Sequence, residues 1–92
     1  MTRSPVAKIL RDAIQASELT QREIAARAGF KHSNIISMLK SGETRIPLDR
    51  IPALAAVLGL DQQMLLLAAL EEYNPSVYEV LIDALKLPRT NA

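Results

Sequence analysis

The chain has 92 residues, a length that suits one domain. Hydrophobic residues make up 49% of it, which is enough for a packed core and argues against disorder. It has no cysteine, so disulfides and thiolate metal sites are excluded. Aromatic residues make up only 3%, so aliphatic side chains must fill the core, which favours packed helices over a β-sandwich.

The charged residues are unevenly distributed along the chain. Residues 1–50 contain nine Lys and Arg against five Asp and Glu, whereas residues 51–92 contain two against five. A basic first half favours an anionic partner, although random scatter of so few charges is the alternative. The longest apolar run, Met64 to Leu70, is far shorter than the about 20 residues of a membrane helix, and no signal peptide is expected. We therefore expect a soluble, cytoplasmic protein without a membrane partner.

Two helices are predicted before the first glycine. Ser4-Pro5 is typical of a helix start, and an amphipathic pattern then predicts a helix over residues 5–17. Thr20 and Glu23 form the pattern of a capping box, in which each side chain accepts a hydrogen bond from the backbone N–H of the other residue. The second helix should be short, because Gly29 suits the left-handed residue that ends a helix.

A third helix is predicted from Lys31 or His32 to Lys40, ended by Gly42. Its spacing of apolar residues predicts an inward face made of Ile35, Met38 and Leu39.

A fourth helix is predicted over residues 50–58, with Asp49 as its cap and Gly59 as its end. Pro52 is compatible with this helix, because amides in the first turn have no partner within the helix.

Two further helices follow, and the predicted fold is all-α. Asp61 can cap a helix over residues 62–73, and Asn74-Pro75 predicts another over residues 75–86. The run from Met64 to Leu70 makes the fifth helix apolar on all sides. Such a helix must be covered on more than one side.

Residues 21–40 combine two short helices with a tight turn that contains a glycine, which is the arrangement of a helix-turn-helix unit. Ala25 must be small, because the third helix crosses close to the second there. Gly29 must allow positive φ at the turn. Apolar residues are expected to fix the crossing angle: Ile24, Ala28, Ile35 and Met38.

The stretch from Leu19 to Leu60 resembles the lambda-repressor-like, or xenobiotic-response-element, family of prokaryotic DNA-binding proteins. The matching residues form an ordered set: Leu19-Thr20-Gln21, Ile24-Ala25, Ala28-Gly29, Ile35-Ser37-Met38, Lys40-Ser41-Gly42 and Leu54-Ala55-Val57-Leu58-Gly59. The resemblance implies a five-helix bundle, here with an additional C-terminal helix, whose third helix enters the major groove. It also implies a homodimeric transcription regulator that binds double-stranded DNA. A two-fold dimer is in turn expected to bind a palindromic operator.

The resemblance assigns DNA contacts to exposed side chains of this unit. Gln21 opens the second helix, where the family often places a glutamine near a backbone phosphate. Further base-facing or phosphate-facing positions lie at the start of the third helix and beyond its far end: Lys31, His32, Ser33, Asn34, Ser37, Lys40, Thr44 and Arg45. Asn and Ser can contact base edges, whereas Lys and Arg contact phosphate.

One position departs from the family pattern. Ile36 stands where the family usually has an exposed polar residue. Two alternatives are open: Ile36 meets a thymine methyl group, or it packs under the loop from Thr44 to Pro47. In either case the base specificity of relatives does not transfer to this chain.

The C-terminal segment is expected to hold a homodimer. Residues 1–73 are predicted to form the DNA-binding domain, and residues 74–92 a C-terminal helix and tail that dimerise. The expected interface consists of apolar side chains from the fifth and sixth helices: Leu66, Leu70, Tyr78, Leu81, Ile82 and Leu85. The alternative is that the sixth helix folds back and completes a monomeric core.

The leading hypothesis is a sequence-specific transcriptional regulator, expected to be a repressor, prokaryotic or phage-encoded and associated with the nucleoid. The alternatives are a protein-interaction module that has lost DNA binding and an antitoxin-type autoregulator. The cations Lys31, Lys40 and Arg45 on the DNA face favour the first hypothesis. No glycine-rich phosphate loop, metal cluster or paired-carboxylate site appears, so no enzyme, cofactor, metal or small-molecule substrate is expected.

Overall fold

The computed structural model of the chain describes residues 4–88. Within them the chain forms no strand and has six α-helices: α1 (Pro5–Ala16), α2 (Gln21–Arg27), α3 (Asn34–Ser41), α4 (Ile51–Leu58), α5 (Gln62–Tyr73) and α6 (Pro75–Leu85). The predicted all-α fold class is confirmed. No helix in this range is long and apolar enough to cross a membrane. Residues 1–3 of the predicted DNA-binding domain and residues 89–92 of the predicted C-terminal tail lie outside the described residues.

Polar caps start several of the helices as predicted. Thr20 Oγ1 accepts a hydrogen bond from Glu23 N at 3.1 Å, and the Glu23 carboxylate accepts one from Thr20 N at 3.0 Å, which confirms the capping box. The backbone hydrogen bond from Thr20 is the main cause that holds the pKa of the Glu23 carboxyl below its usual value. The side chains of Ser4, Asp61 and Asn74 likewise accept from backbone N–H groups at the starts of α1, α5 and α6.

The turn after α2 depends on Gly29, which has a φ of 83°. Two backbone hydrogen bonds close the turn: Gly29 N donates to Ala26 O at 3.2 Å, and Phe30 N donates to Ala25 O at 2.8 Å. This is the bonding pattern of a helix end with a left-handed residue. Gly42 and Gly59 end α3 and α4, as predicted.

Replacing Gly29 by valine is expected to destabilise the protein by about 1–3 kcal/mol, because a β-branched residue resists positive φ. Space is not the limit, since a Cβ at Gly29 would meet the guanidinium of Arg50 only at 3.6 Å. Gly29→Asn is the matched control, because asparagine tolerates the left-handed conformation. Thermal melting of both variants tests the prediction. A Gly29→Val protein with the same melting temperature as the parent would show that the turn is misplaced.

The predicted start of α4 is wrong. A 3-10 turn, Leu48–Arg50, runs directly into α4, and Arg50 occupies the cap position that was predicted for Asp49. No side chain caps this helix. Arg50 N instead donates to Pro47 O at 2.9 Å, and bonds of this kind satisfy amides that a polar cap would otherwise serve. Pro52 lies in the first turn, as predicted.

The apolar side chains form two clusters on either side of α5. The main core has these buried members: Val6, Leu10, Ile14, Ile24, Ala25, Ala28, Ile36, Leu39, Ile46, Ile51, Leu54, Ala55, Leu65 and Ala69. The smaller cluster lies between α5 and α6, and its buried members are Leu67, Leu70, Tyr78 and Ile82. The prediction that α5 is covered on more than one side is confirmed.

The inward face of α3 differs from the predicted one. Ile36 is fully buried, with 0% exposed, and Leu39 is buried beside it, whereas Ile35 and Met38 are only half-buried. The predicted inward role is therefore wrong for Met38, whereas Ile35 keeps part of it as a half-buried side chain packed against the main core. The hypothesis that Ile36 meets a thymine methyl is wrong. Ile36 instead shares the main core with Ile46 of the following loop, in line with the packing alternative.

The physical reason for this difference is the length of the turn before α3. The helix begins at Asn34 rather than at Lys31 or His32. Each residue that is added to a turn rotates the face of the following helix by about 100°. Because Ile35 and Ile36 are both apolar, the sequence pattern allows either of them to face inward.

The C-terminal end of α5 is tied to the start of α1. The carboxylate of Glu72 accepts a hydrogen bond from Ser4 Oγ at 2.7 Å and another from Val6 N at 3.0 Å. A carboxylate in this position satisfies free amides and interacts favourably with the helix dipole. This contact fixes the position of α5, whose next residue, Tyr73, contacts the candidate site.

Candidate nucleic-acid interface

The unit that presents the site consists of α2, the turn through residues 28–33, and α3. Ala25 and Ala28 are buried in the main core together with Ile36 and Leu39 of α3, in line with the small residue predicted at Ala25. Ile24 is fully buried in the same core. These contacts hold one face of α3 against the core, so that its opposite face is available to a partner.

The outward face of α3 carries polar side chains. Asn34 and Ser37 are exposed, and their spacing of three residues places them on the same side of the helix. Ser33, just before the helix, is also exposed, and its side chain makes no capping hydrogen bond. Amide and hydroxyl groups of this kind can both donate to and accept from base edges.

A hydrogen bond links this face of α3 to the first residue of α2. Ser37 Oγ lies 2.8 Å from Gln21 Oε1 and donates to it. Both residues are predicted DNA contacts, and the structure brings them together across the two helices. The bond restricts both side chains while the amide nitrogen of Gln21 keeps its two donors. A pre-ordered pair of this kind loses less conformational entropy when it binds a ligand.

Basic side chains border a cleft between α2 and the turn. Lys31, His32 and Ser33 line it together with Arg22, and it has a volume of about 330 Å³. Four side chains that can donate hydrogen bonds to an anion, two of them cationic, therefore converge beside the start of α3. Arg22 is not among the predicted DNA contacts, because its position relative to Lys31 depends on the fold of the turn.

The loop that follows α3 is held by Tyr73 of α5. Ile46 N donates a hydrogen bond to the Tyr73 hydroxyl at 3.1 Å. The guanidinium carbon of Arg45 lies 5.1 Å from the centre of the Tyr73 ring, within the range of a cation–π contact. Burial raises the pKa of the Tyr73 hydroxyl, so it stays protonated at neutral pH. The loop is therefore fixed by its backbone and by one exposed cation.

The remaining predicted contacts lie near the two ends of α3. Arg45 is exposed, whereas Lys40, in the last turn of α3, and Thr44 are half-buried. Lys31, His32 and Asn34 are exposed together at the other end of α3. The structure thus places cations beyond both ends of the polar face, with Asn34 and Ser37 between them.

Comparison with protein families identifies the unit. A family model described as helix-turn-helix, of the lambda-repressor-like type, matches residues 10–61. The chain belongs to this helix-turn-helix family. Comparisons with curated proteins and with solved structures gave no match. The family indicates a DNA-binding transcription regulator.

The helix-turn-helix match begins within α1 and ends at Asp61, just before α5. The resemblance predicted from Leu19 to Leu60 is confirmed by it. Glu72, Tyr73 and the whole of α6 lie outside the matched region. Because Tyr73 holds the loop after α3, part of the support for the helix-turn-helix unit comes from outside the family pattern.

The predicted dimer interface needs a correction. Leu70, Tyr78 and Ile82 are buried between α5 and α6 of a single chain, so they have little surface to offer a partner; Tyr78 is only 1% exposed. Leu66 and Leu81 are half-buried against the same cluster, and Leu85 is exposed. The sixth helix thus packs on α5 of its own chain, and the homodimer stays a prediction.

The fold-back of α6 leaves an apolar stripe on its outer side. Three exposed apolar residues of α6 recur at helical spacing beside the face that packs on α5, and the half-buried Leu81 lies among them. Together these residues form the α6 stripe: Val77, Val80, Leu81 and Ala84. Val80 is 65% exposed.

Residues 4–88 contain no group of His, Cys, Asp and Glu that could hold a metal ion.

Proposed function

We propose that the chain is a sequence-specific transcriptional repressor that binds double-stranded DNA with α3 in the major groove. The observation that carries the proposal is the polar outward face of α3, where Asn34 and Ser37 lie between cations. Asparagine can bond adenine through two groups at once, and serine can bond either a donor or an acceptor on a base edge. Family membership supports DNA binding in general.

The cations of the unit supply affinity in this proposal. Lys31 and Arg22 border the start of α3, and Arg45 extends from the loop at its other end. Contacts of Lys and Arg with phosphate position a protein on the duplex without reading its sequence. Occupation of an operator then blocks transcription. The resemblance in sequence extends the proposal to a prokaryotic cytoplasm and to a phage, prophage or plasmid operator.

The repressor acts as a homodimer in this proposal, with residues 74–88 as its dimerisation element. One recognition helix contacts only a few base pairs, whereas a two-fold dimer places two such helices about 34 Å apart on a palindrome. The α6 stripe supplies an apolar surface that a second copy would cover. Its charged neighbours, Glu79 and Asp83, lie on the other side of the helix.

A second candidate function is a protein-interaction module that no longer binds DNA. The exposed apolar stripe on α6 favours it, because this surface would bind another protein equally well. The polar face of α3 and its cations distinguish the candidates, since an interaction module has no need of them.

Selection of bound duplexes from a random DNA pool tests the proposed function. We expect enrichment of one sequence motif, repeated in inverted orientation. A variant with Asn34→Ala should enrich a different or less specific motif, because a base contact is worth about 1–3 kcal/mol of discrimination. A pool that stays random with the folded parent protein would overturn the proposal.

The salt dependence of DNA binding tests the role of Arg45. Each phosphate contact contributes about −0.9 to the slope of log K against log salt, so Arg45→Ala should make the slope shallower by about one unit per subunit. Arg27→Ala is the control, because it removes the same charge from an exposed position in the last turn of α2. An unchanged slope would limit Arg45 to its contact with Tyr73.

A further inference from the structure

An apolar groove runs along the outer side of α3, beside its polar face. It has a volume of about 230 Å³, and its lining consists of Phe30, Lys31, His32, Asn34, Ile35 and Met38. The apolar members of this set are all half-buried, because Ile36 and Leu39 take the fully buried inward positions of α3. Phe30 and Ile35 pack against the main core with part of their surface, and Met38 does not pack against it. The groove is therefore a surface feature of the DNA-binding unit.

The packing of Met38 and Ile35 supports this interpretation. Met38 is half-buried, and it does not belong to the side chains of residues 4–88 that pack against the main core. Ile35 packs against the core with part of its side chain and is half-buried, so the rest of it remains accessible. The fully buried members that α3 contributes to the main core are Ile36 and Leu39, so neither Ile35 nor Met38 is among them.

The groove is continuous with the polar side chains of α3. Met38 follows Asn34 by four residues, and side chains at this spacing lie on the same face of a helix. Lys31 forms part of the groove wall, and a cation there favours an anionic partner over an apolar peptide. The occupant must therefore combine a negatively charged backbone with small apolar groups beside hydrogen-bonding groups.

Duplex DNA has this combination in its major groove. The C5-methyl group of thymine is the apolar group among the donors and acceptors of the base edges there. We propose that the groove formed by Phe30, Ile35 and Met38 receives a thymine methyl group, and that Ile35 and Met38 are specificity-determining residues. The proposal rests on the proposed function, in which α3 lies in the major groove.

Replacement of thymine by deoxyuridine tests the proposal without changing the protein. Each thymine of the selected operator is replaced in turn, which removes only the methyl group. The parent protein should bind about fourfold more weakly at one or two positions in each half-site, as expected for the loss of one buried methyl-sized group. Equal affinity for the thymine and deoxyuridine operators at every position would overturn the proposal.

Variants of the groove then assign the methyl contact to its residues. Met38→Ala and Ile35→Ala should bind the thymine operator more weakly and should no longer distinguish thymine from deoxyuridine at one position. Ser37→Ala is the matched control on the same helix. It should weaken binding to the thymine and deoxyuridine operators alike, so that the ratio of the two affinities stays at the parent value. Deoxyuridine sensitivity that persists unchanged in both groove variants would exclude these residues.

The outcomes separate this inference from the proposed function. A random pool that yields no motif contradicts the proposed function itself. A motif that is enriched, but that binds equally well with deoxyuridine, leaves the repressor proposal intact and contradicts only the methyl contact. Thermal melting of the variants verifies that a loss of binding is not a loss of fold.

Discussion

Replacing Ile36 by alanine is expected to lower the free energy of unfolding by about 2–5 kcal/mol. Ile36 is 0% exposed and lies in the main core, where a smaller side chain would leave a cavity. A loss of this size is a large part of the stability of a small domain, which is about 5–15 kcal/mol. Urea denaturation, followed by circular dichroism, measures the change.

Ile35→Ala is the matched control for this prediction, because it makes the same chemical change one residue earlier. Ile35 is half-buried, so its loss of stability should be clearly smaller. Thymine-dependent binding should be altered by Ile35→Ala. Ile36→Ala could instead leave stability unchanged and alter the selected DNA motif. In that case α3 would have the inward face that the sequence pattern predicted, with Ile35 and Met38 toward the core.

Helix ends could be predicted from the sequence because their signals are local. The capping box at Thr20 and Glu23 and the caps at Asp61 and Asn74 each join residues three positions apart. Gly29 is required by a turn whose hydrogen bonds span only a few residues. Such interactions form wherever the local sequence allows them, so the local sequence pattern is sufficient to predict where a helix begins and ends.

The face of α3 that turns toward the core could not be predicted, because the sequence allows two orientations of the helix. Ile35 and Ile36 are neighbours with the same side chain, and only the length of the preceding turn decides which of them faces the core. The same uncertainty affected the candidate site. The residues assigned to the core, Ile35 and Met38, line the outer groove, whereas Ile36, which was considered for a base contact, is buried.

Contacts between distant parts of the chain left no signal in the sequence. Glu72 binds the start of α1 across a separation of 66 to 68 residues, and Tyr73 holds Ile46 across 27. No local periodicity relates these positions. Both contacts come from the last turn of α5, which is why the support of the loop after α3 emerged only from the structure.

The apolar surface of α6 that is available to a second copy of the chain is limited to the α6 stripe. The sequence pattern could not distinguish the apolar residues that pack within the chain from those that remain available, since both kinds occur on α6. The structure uses Tyr78 and Ile82 for the contact with α5. It leaves Val77 and Val80 exposed on the neighbouring side of the helix, so that disruption of a dimer can be tested without damage to the subunit.

Val80→Glu is expected to convert the proposed homodimer into a folded monomer and to weaken operator binding about 100-fold or more. Burying an unpaired carboxylate between subunits is costly, whereas in the isolated subunit this position is 65% exposed and tolerates a charge. A monomer loses the second half-site, and linked binding modules gain about 10²–10⁴ in affinity from acting together. Sedimentation equilibrium should change from a dimer to a species of 10.1 kDa.

Gln63→Glu is the control for this change. It adds the same negative charge at an exposed position near the start of α5, so it accounts for any general repulsion from DNA. It should leave the dimer intact and weaken operator binding only slightly. Melting curves should show that both variants remain folded, because neither position belongs to a buried cluster. A parent protein that sediments as a 10.1 kDa monomer, or a Val80→Glu variant that stays dimeric, would exclude the α6 stripe as the subunit interface.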